Sequence, residues 1–241
     1  GCEQPGYGAD HVPRFFCPQP VAPDATFTLD TEVAQHVRVL RLREGEGIVL
    51  FDGHGGETPA TIRSIGKRDI TVTTGQHLAI ERETTRQITL YAALIANDRM
   101  DWTIQKATEL GVGAIQPLYS ERSQRIPGDV TKRVEHWRGV AIAACEQCGR
   151  NRIPGINAPI SLSDALSVTQ GAANALLDAE HSADREYPQH AINVFVGPEG
   201  GFAPHEREVL LAHCAHKLRV GVTVLRAETA AVAAMALFAN L

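Results

Sequence analysis

The segment VFVGPEGGF, Val194 to Phe202, leaves an apolar run for a turn of three glycines, a proline and one carboxylate. Val194, Phe195 and Val196 have the unbroken apolar character of a strand buried on both faces, as in parallel sheets. The turn then falls at the carboxyl end of that strand, where open α/β sheets place their ligands. A glycine-rich turn first suggests phosphate, yet the chain contains neither GxxxxGK[ST] nor GxGxxG. Glu199 also puts a negative charge where a phosphate site needs N–H donors, which favours a neutral or cationic ligand. The competing reading is an ordinary strand-to-helix turn, with Pro204 at the first helical position and Glu206 and Glu208 complementing the helix dipole.

Around this turn, strands and helices alternate. ITLYAALI reads as a strand, RMDWTIQKATEL as a helix stopped by Gly111, GAIQPLYS as a strand, and DVTKRVEHWRGVAIAACEQC as a long helix stopped by Gly149. The helix SLSDALSV, the strand ANALLDA, the helix PHEREVLLAHC, a short KLRVG and the helix TAAVAAMALFANL complete the pattern. Such alternation predicts an α/β domain over residues 88–241, a mostly parallel sheet covered by helices. Residues 11–80 read differently. FTL, IVLFDGHGG, TPATIRSI and DITVTT are strand-like and broken by turns, with one helical piece, DTEVAQHVRVLRL, which predicts a small β-barrel or sandwich. GHGG, Gly53 to Gly56, runs on into a strand and so is no dinucleotide turn. The segment ERETTRQ, Glu81 to Gln87, is polar throughout and reads as a linker.

With 241 residues, 44% of them hydrophobic, the chain has ample material for a core. No apolar run approaches the roughly 20 residues of a membrane span, and no secretory signal is evident, so a cytoplasmic protein is expected. The net charge of -5 argues against holding nucleic acid by bulk charge and leaves room for local basic patches. Five cysteines, Cys2, Cys17, Cys145, Cys148 and Cys214, show no disulfide spacing. Cys145 and Cys148 form a CxxC within a predicted helix, which reads as a structural pair, with redox or metal chemistry as the alternative. No metal site is expected.

Three further sets of residues are candidates. Arg226 and Glu228 precede a helix so apolar that it is buried on most of its surface, and they read either as functional or as a cap with a local salt bridge. Arg122, Arg125, Arg150 and Arg152 lie just past predicted element ends, as a phosphate-binding rim or as solvated charge. His36, Arg38, Arg41 and Arg43 form a basic run in which Arg38 and Arg41 fall one helical turn apart.

Six segments then become recognisable together: HVRVLRLREGEGIVLFDGHGG, QKATELGV, PLYSERS, AACEQCGRNRIP, VGPEGGF and VLRAETA. In this order the chain, from His11 to Leu241, resembles the RsmE family of 16S ribosomal RNA uridine N3-methyltransferases, of the SPOUT class. The resemblance implies a SPOUT-type trefoil-knotted α/β domain preceded by a small PUA-like β-barrel that binds RNA. It implies methyl transfer from S-adenosylmethionine to N3 of one uridine, a homodimer, and a substrate in 16S rRNA or the small ribosomal subunit, with no membrane and no metal. Gly197, Pro198, Glu199, Gly200 and Gly201 are implied to form the cofactor pocket, closed by Gly221, Val224, Leu225, Thr229 and Ala230. Arg226 would stabilise the imide anion, and Glu199 or Glu228 would orient the base or accept its proton. Arg14, His36, Arg38, Arg41, Arg122, Arg150 and Arg152 would bind RNA phosphates. A knotted protein that binds RNA without catalysis is the alternative. The chain departs from the family's usual pattern at Val222, Thr223 and Ala227, at Asn97 and Asp98, and at Ala203, where a capping serine worth about 1 kcal/mol is common.

Overall fold

The computed structural model describes residues 11–240; Cys2 and Leu241, the last residue of the expected terminal helix, lie outside them. The chain divides into two units, one reaching to Arg82 and including Glu146–Ile153, the other made of Glu83–Cys145 and the residues from Pro154 onward.

In the first unit the elements are β1 (Arg14–Phe16), β2 (Thr26–Thr28), α1 (Thr31–Val39), β3 (Gly47–Phe51), β4 (Thr58–Ile65) and β5 (Ile70–Thr74). They form a five-stranded sheet in the order β1-β3-β4-β5-β2, parallel only between β1 and β3. Alternation decides β4: Ala60 and Ile62 are buried while Pro59, Thr61 and Arg63 face out. The α1 helix is capped by Asp30, whose carboxylate accepts the Val33 N–H at 2.9 Å, and it buries Val33, Ala34 and Val37. It ends at Val39, short of the expected Leu42, and Arg41 has φ 55°, outside the right-handed region. The one-turn spacing read for Arg38 and Arg41 therefore does not hold, because Arg41 lies beyond the helix.

The GHGG turn is a socket for residues 151–153. Gly53, Gly55 and Gly56 all have positive φ, and a Cβ at Gly55 would collide with the side chains of Glu81 and Arg152. Ile153 N–H donates to Gly53 O at 3.1 Å, Gly55 N–H to Asn151 O at 3.2 Å, and Gly56 N–H to the Glu81 carboxylate at 2.9 Å. Beneath the turn Glu57 Oε2 accepts from Arg14 Nη1 at 2.7 Å and from Arg82 Nη1 and Asn151 Nδ2 at 3.0 Å each. Asn151, fully buried, also donates to Ile80 O and accepts from Arg14 Nη2. Burial alone would raise the Glu57 carboxyl, but the hydrogen bonds from Arg82, Asn151 and Arg14 prevail and hold it below the usual range.

The second unit begins with β6 (Gln87–Ala93), α2 (Asn97–Glu109), β7 (Ala114–Tyr119) and α3 (Val130–Cys148), whose last three residues belong with the first unit. It continues through β8 (Gly155–Ile156), β9 (Ile160–Ser161), α4 (Leu162–Val168), β10 (Asn174–Leu177), β11 (Ala191–Val196), α5 (Pro204–His213), β12 (His216–Leu218) and α6 (Ala227–Asn240). The sheet runs β12-β10-β11-β6-β7-β8, with β9 also on β7, and every pairing is parallel. Both faces are covered, as the VFV run requires. Ile192, Val194 and Val196 enter one core with Trp137, Met235 and Phe238, while Phe195 enters the other with Leu118, Leu176 and Leu210. Arg86, at the end of the polar ERETTRQ segment, is buried and donates to Pro188 O and to Phe238 O near the carboxyl end of α6, where a cation is favoured. Among the described residues no helix is long and apolar enough to cross a membrane, and no cluster of metal-ligating side chains occurs.

Two outcomes follow from this packing. Glu57→Gln is expected to cost about 3 kcal/mol at neutral pH, since it breaks a buried charge pair. Because the folded carboxyl sits low, that contribution is present above about pH 4.3 and disappears as the pH falls through the depressed value, so urea unfolding of the two proteins should converge in acid. Burial pushes the Cys214 thiol up to about 12, and Cys17 and Cys145 are also buried, whereas Cys148 is half-buried on α3. Among these four, Cys148 should be alkylated first in the native protein, as read by mass spectrometry of the labelled peptides.

Candidate active site

Three turns at the carboxyl ends of β6, β7 and β11 are tied together by charged side chains. After β11, Glu199 Oε1 accepts the Ala96 N–H at 3.2 Å and lies 3.2 Å from Arg99 Nη2 in the first turn of α2. The N-terminal position of α2, Ala96, has no side chain able to accept a hydrogen bond, so a carboxylate from another turn takes its N–H. Arg122, after β7, donates to Gly200 O at 3.0 Å. Glu206 on α5 accepts from the Ala203 N–H at 3.1 Å and from the Glu121 N–H at 3.2 Å. Ala203 cannot return the bond a serine would make, so only the Glu206 half of a capping box is formed. Asp98, one of the departures from the family pattern, falls in the first turn of α2, where its charge complements the dipole.

The turn also closes on itself. Gly201 N–H donates to Pro198 O at 2.9 Å, and Gly201 has φ 73°. A Cβ on Gly197 would stand 3.1 Å from Phe202 N, so this glycine is required by the turn's own backbone.

Beside the turn lies a cavity of about 590 Å³, within the size range of small-molecule sites. Its wall is built from Leu176 to Glu180 at the carboxyl end of β10, Val196 to Phe202, and Val220, Thr223, Val224, Leu225, Ala227 and Ala230 around the entry to α6, with Arg122 and Arg207. Asp178 is the buried charge of this wall. It accepts from Glu180 N–H at 3.1 Å, His181 Nδ1 at 2.6 Å and Arg207 Nη2 at 2.9 Å, and Arg207 also pairs with Glu180 at 3.0 Å. Burial works to raise the Asp178 carboxyl, but the Glu180 N–H, Arg207 and His181 outweigh it and leave it below its ordinary value.

Of the residues anticipated for a cofactor pocket, Gly197, Pro198, Glu199, Gly200, Gly201, Val224, Leu225 and Ala230 stand in this wall. Gly221, with φ 73°, is adjacent, and an added Cβ there would touch Leu225. Arg226 and Thr229 are exposed at the start of α6, whereas Glu228 is 9% exposed and its Oε2 finds no hydrogen-bond partner among the described residues. Val222 and Val224 are 91% and 96% exposed.

The arginines need correction. Arg14 has a side chain only 7% exposed and is committed to Glu57, and Arg150 is 3% exposed, so neither presents its charge to a phosphate. Arg152 is paired with Glu81 at 3.1 Å, Arg125 lies over the Tyr119 ring, and Arg38 donates to Gly66 O at 2.6 Å. His36 and Arg41 are exposed. The sequence reading missed Asp178 and Arg207. Asp178 was within reach of the rule applied to VFVGPEGGF, since it too follows the carboxyl end of a parallel strand; Arg207 carries no local signal.

An RNA methyltransferase fits this fold and cavity. The family described as RNA methyltransferase domain matches residues 82–239, and that described as RNA methyltransferase PUA domain matches residues 29–74, so the chain belongs to this family. Ribosomal RNA small subunit methyltransferase E of Rickettsia conorii is 34% identical over 205 residues, covering 82% of each chain. The protein of that name from Neisseria gonorrhoeae, solved bound to S-adenosyl methionine, is 34% identical with TM-score 0.88 and covers 95% of this chain and 98% of its own. A methyltransferase of Legionella pneumophila with the bound cofactor SAM superposes with TM-score 0.89 at 34% identity, covering 96% and 98%. The RsmE resemblance read from the six motifs is thereby borne out.

Gly201→Ala forces a side chain into left-handed backbone and is expected to lower stability by about 1–2 kcal/mol, measured as a fall in the thermal midpoint with the fold unchanged by circular dichroism.

Proposed function

We propose that the chain methylates N3 of a uridine in 16S ribosomal RNA, using S-adenosylmethionine bound in the cavity. The observation that carries this reading is that the VGPEGGF and VLRAETA segments, about thirty residues apart in sequence, share one cavity wall. The wall suits a cationic nucleoside. Leu176, Val196, Phe202 and Leu225 offer apolar flanks for a base, the glycine turn offers backbone groups at close range, and Asp178 and Glu180 supply negative charge. When bound, S-adenosylmethionine supplies an electrophilic methyl group.

The chain's own residues prepare the acceptor. N3 of uridine must lose its proton as it becomes a nucleophile, and negative charge spreads over the imide. Arg226, exposed between the wall residues Leu225 and Ala227, is the group we assign to that charge. For orienting the base or accepting its proton the candidates are Glu199 and Glu228; Glu228 has a carboxylate oxygen without a partner among the described residues. The uridine leaves its stacked position to reach the site, as for other base-modifying enzymes. His36, Arg38, Arg41, Arg122 and Arg152 hold the surrounding phosphates through local patches, as the net charge of -5 requires.

In this reading residues 11–80 act as a PUA-like β-barrel that grips RNA and residues 88–241 as the catalytic domain in the cytoplasm. A trefoil knot in the second is supported by β11 lying between β10 and β6 while α6, later in the chain, packs back on β6, β11 and α2. A homodimer is supported by α6, whose one charged residue is Glu228 and whose Val232, Ala233, Ala236 and Leu237 are only partly covered.

The test is transfer of label from S-adenosylmethionine to small ribosomal particles lacking the modification, with naked 16S RNA alongside and the methylated base identified by mass spectrometry. Label at N3 of one uridine is expected, and Arg226→Ala should lower kcat by about 100-fold. Cofactor binding without label on either substrate would overturn the choice of RNA. No cofactor binding would favour a non-catalytic RNA-binding protein.

A further inference from the structure

Glu199 is an unusual presence in a turn otherwise made of glycine and proline, and one oxygen of its carboxylate is held. Its Oε1 is already occupied twice, by the Ala96 N–H at 3.2 Å and by Arg99 Nη2 at 3.2 Å. Arg99 is not part of the cavity wall, while Glu199 and the glycines on either side of it are. The neighbouring Gly200 is held through its carbonyl oxygen by Arg122 at 3.0 Å.

We infer that Arg99 is a positioning residue for methyl transfer, acting through Glu199, and that Glu199 fixes the glycine turn to α2 and does not take the uridine proton. This deepens the function proposed above and rests on it. A proton acceptor needs a carboxylate free to turn toward the base, and the Glu199 carboxylate is held toward α2 through Oε1 by a backbone donor and a cation. A turn that contains three glycines is conformationally loose. Its geometry over the cavity must therefore be imposed from outside, and Glu199 and Arg122 are the side chains that reach its backbone or grow from it to a fixed element. Arg99 sits in the first turn of a thirteen-residue helix whose Met100, Thr103, Ile104 and Ala107 are buried, so it is itself well anchored.

The experiment compares Arg99→Met, Glu199→Gln, the double variant and Arg99→Lys, with thermal unfolding confirming that each is folded. In the first measurement, without cofactor, amide hydrogen exchange is followed across Gly200 to Phe202. Faster exchange in Arg99→Met, with the Gly201 amide losing its protection, is expected; unchanged exchange would overturn the inference whatever the enzyme's activity. In the second, cofactor KM and kcat are determined across pH. Each single variant should raise cofactor KM by about two- to fivefold, the scale of a partly exposed ion pair. The double variant should be no worse than either single, because both act through one contact, and Arg99→Lys should recover most of the loss. A proton acceptor would behave otherwise: Glu199→Gln would lower kcat by about 100-fold or more and remove the acid limb of the pH profile, while Arg99→Met would not. That second pattern would sink the inference and leave the methyltransferase reading standing. Wild-type protein that neither binds cofactor nor transfers methyl would remove that reading, with the exchange result still deciding whether Arg99 holds the turn.

Discussion

The structure of the cavity depends on carboxylates that accept backbone N–H groups at the ends of parallel strands. A parallel sheet delivers its turns to one edge, and each turn brings unsatisfied amides at the start of the following helix. Here Glu199 takes the Ala96 amide, and Glu206 takes those of Ala203 and Glu121. Neither cap position, Ala96 or Ala203, is a serine, threonine or aspartate. The missing caps are supplied from neighbouring turns, so local helix termination and the assembly of the site are one and the same set of bonds. Remove a carboxylate and a helix start and a cavity wall loosen together.

Much of this was legible in the sequence. A short apolar run with no polar alternation, stopped by a glycine-proline turn, reads as a strand covered on both faces, and Val194 to Val196 form one. The helix stops at Gly111 and Gly149 were marked by glycines, both of which have positive φ. What escaped were features without a local signature. β8 and β9 are two residues each, too short to show a period. The helical reading of DTEVAQHVRVLRL overruns α1 at its carboxyl end, where Val39 and Leu40 are exposed and the chain turns at Arg41.

The arginines teach a different lesson. A guanidinium looks the same in sequence whether it binds phosphate or carboxylate, and its partner is remote. Arg14 and Glu57 are far apart in the chain, as are Asn151 and Glu57, so nothing near Arg14 or Asn151 announced the pairing. By sequence GHGG reads as a turn running into a strand, and the arginines of CGRNRIP as a phosphate rim or solvated charge. The two motifs meet as socket and insert, with Gly53 and Gly55 bare of side chains so that residues 151–153 can lie against the loop.

That insert sets an order of events during synthesis. The first unit lacks Asn151 and the strand-like pairing of Arg152 with His54 until a segment made roughly 70 residues after Arg82 has appeared. At roughly 5–20 residues per second, a ribosome needs on the order of 4–14 s to deliver it. Through that interval Glu57 and Arg14 wait without their amide partner, and an amino-terminal half released early would carry an unfinished polar core. The two units are thus interleaved along the chain, and the first is completed by a segment of its own that is made late.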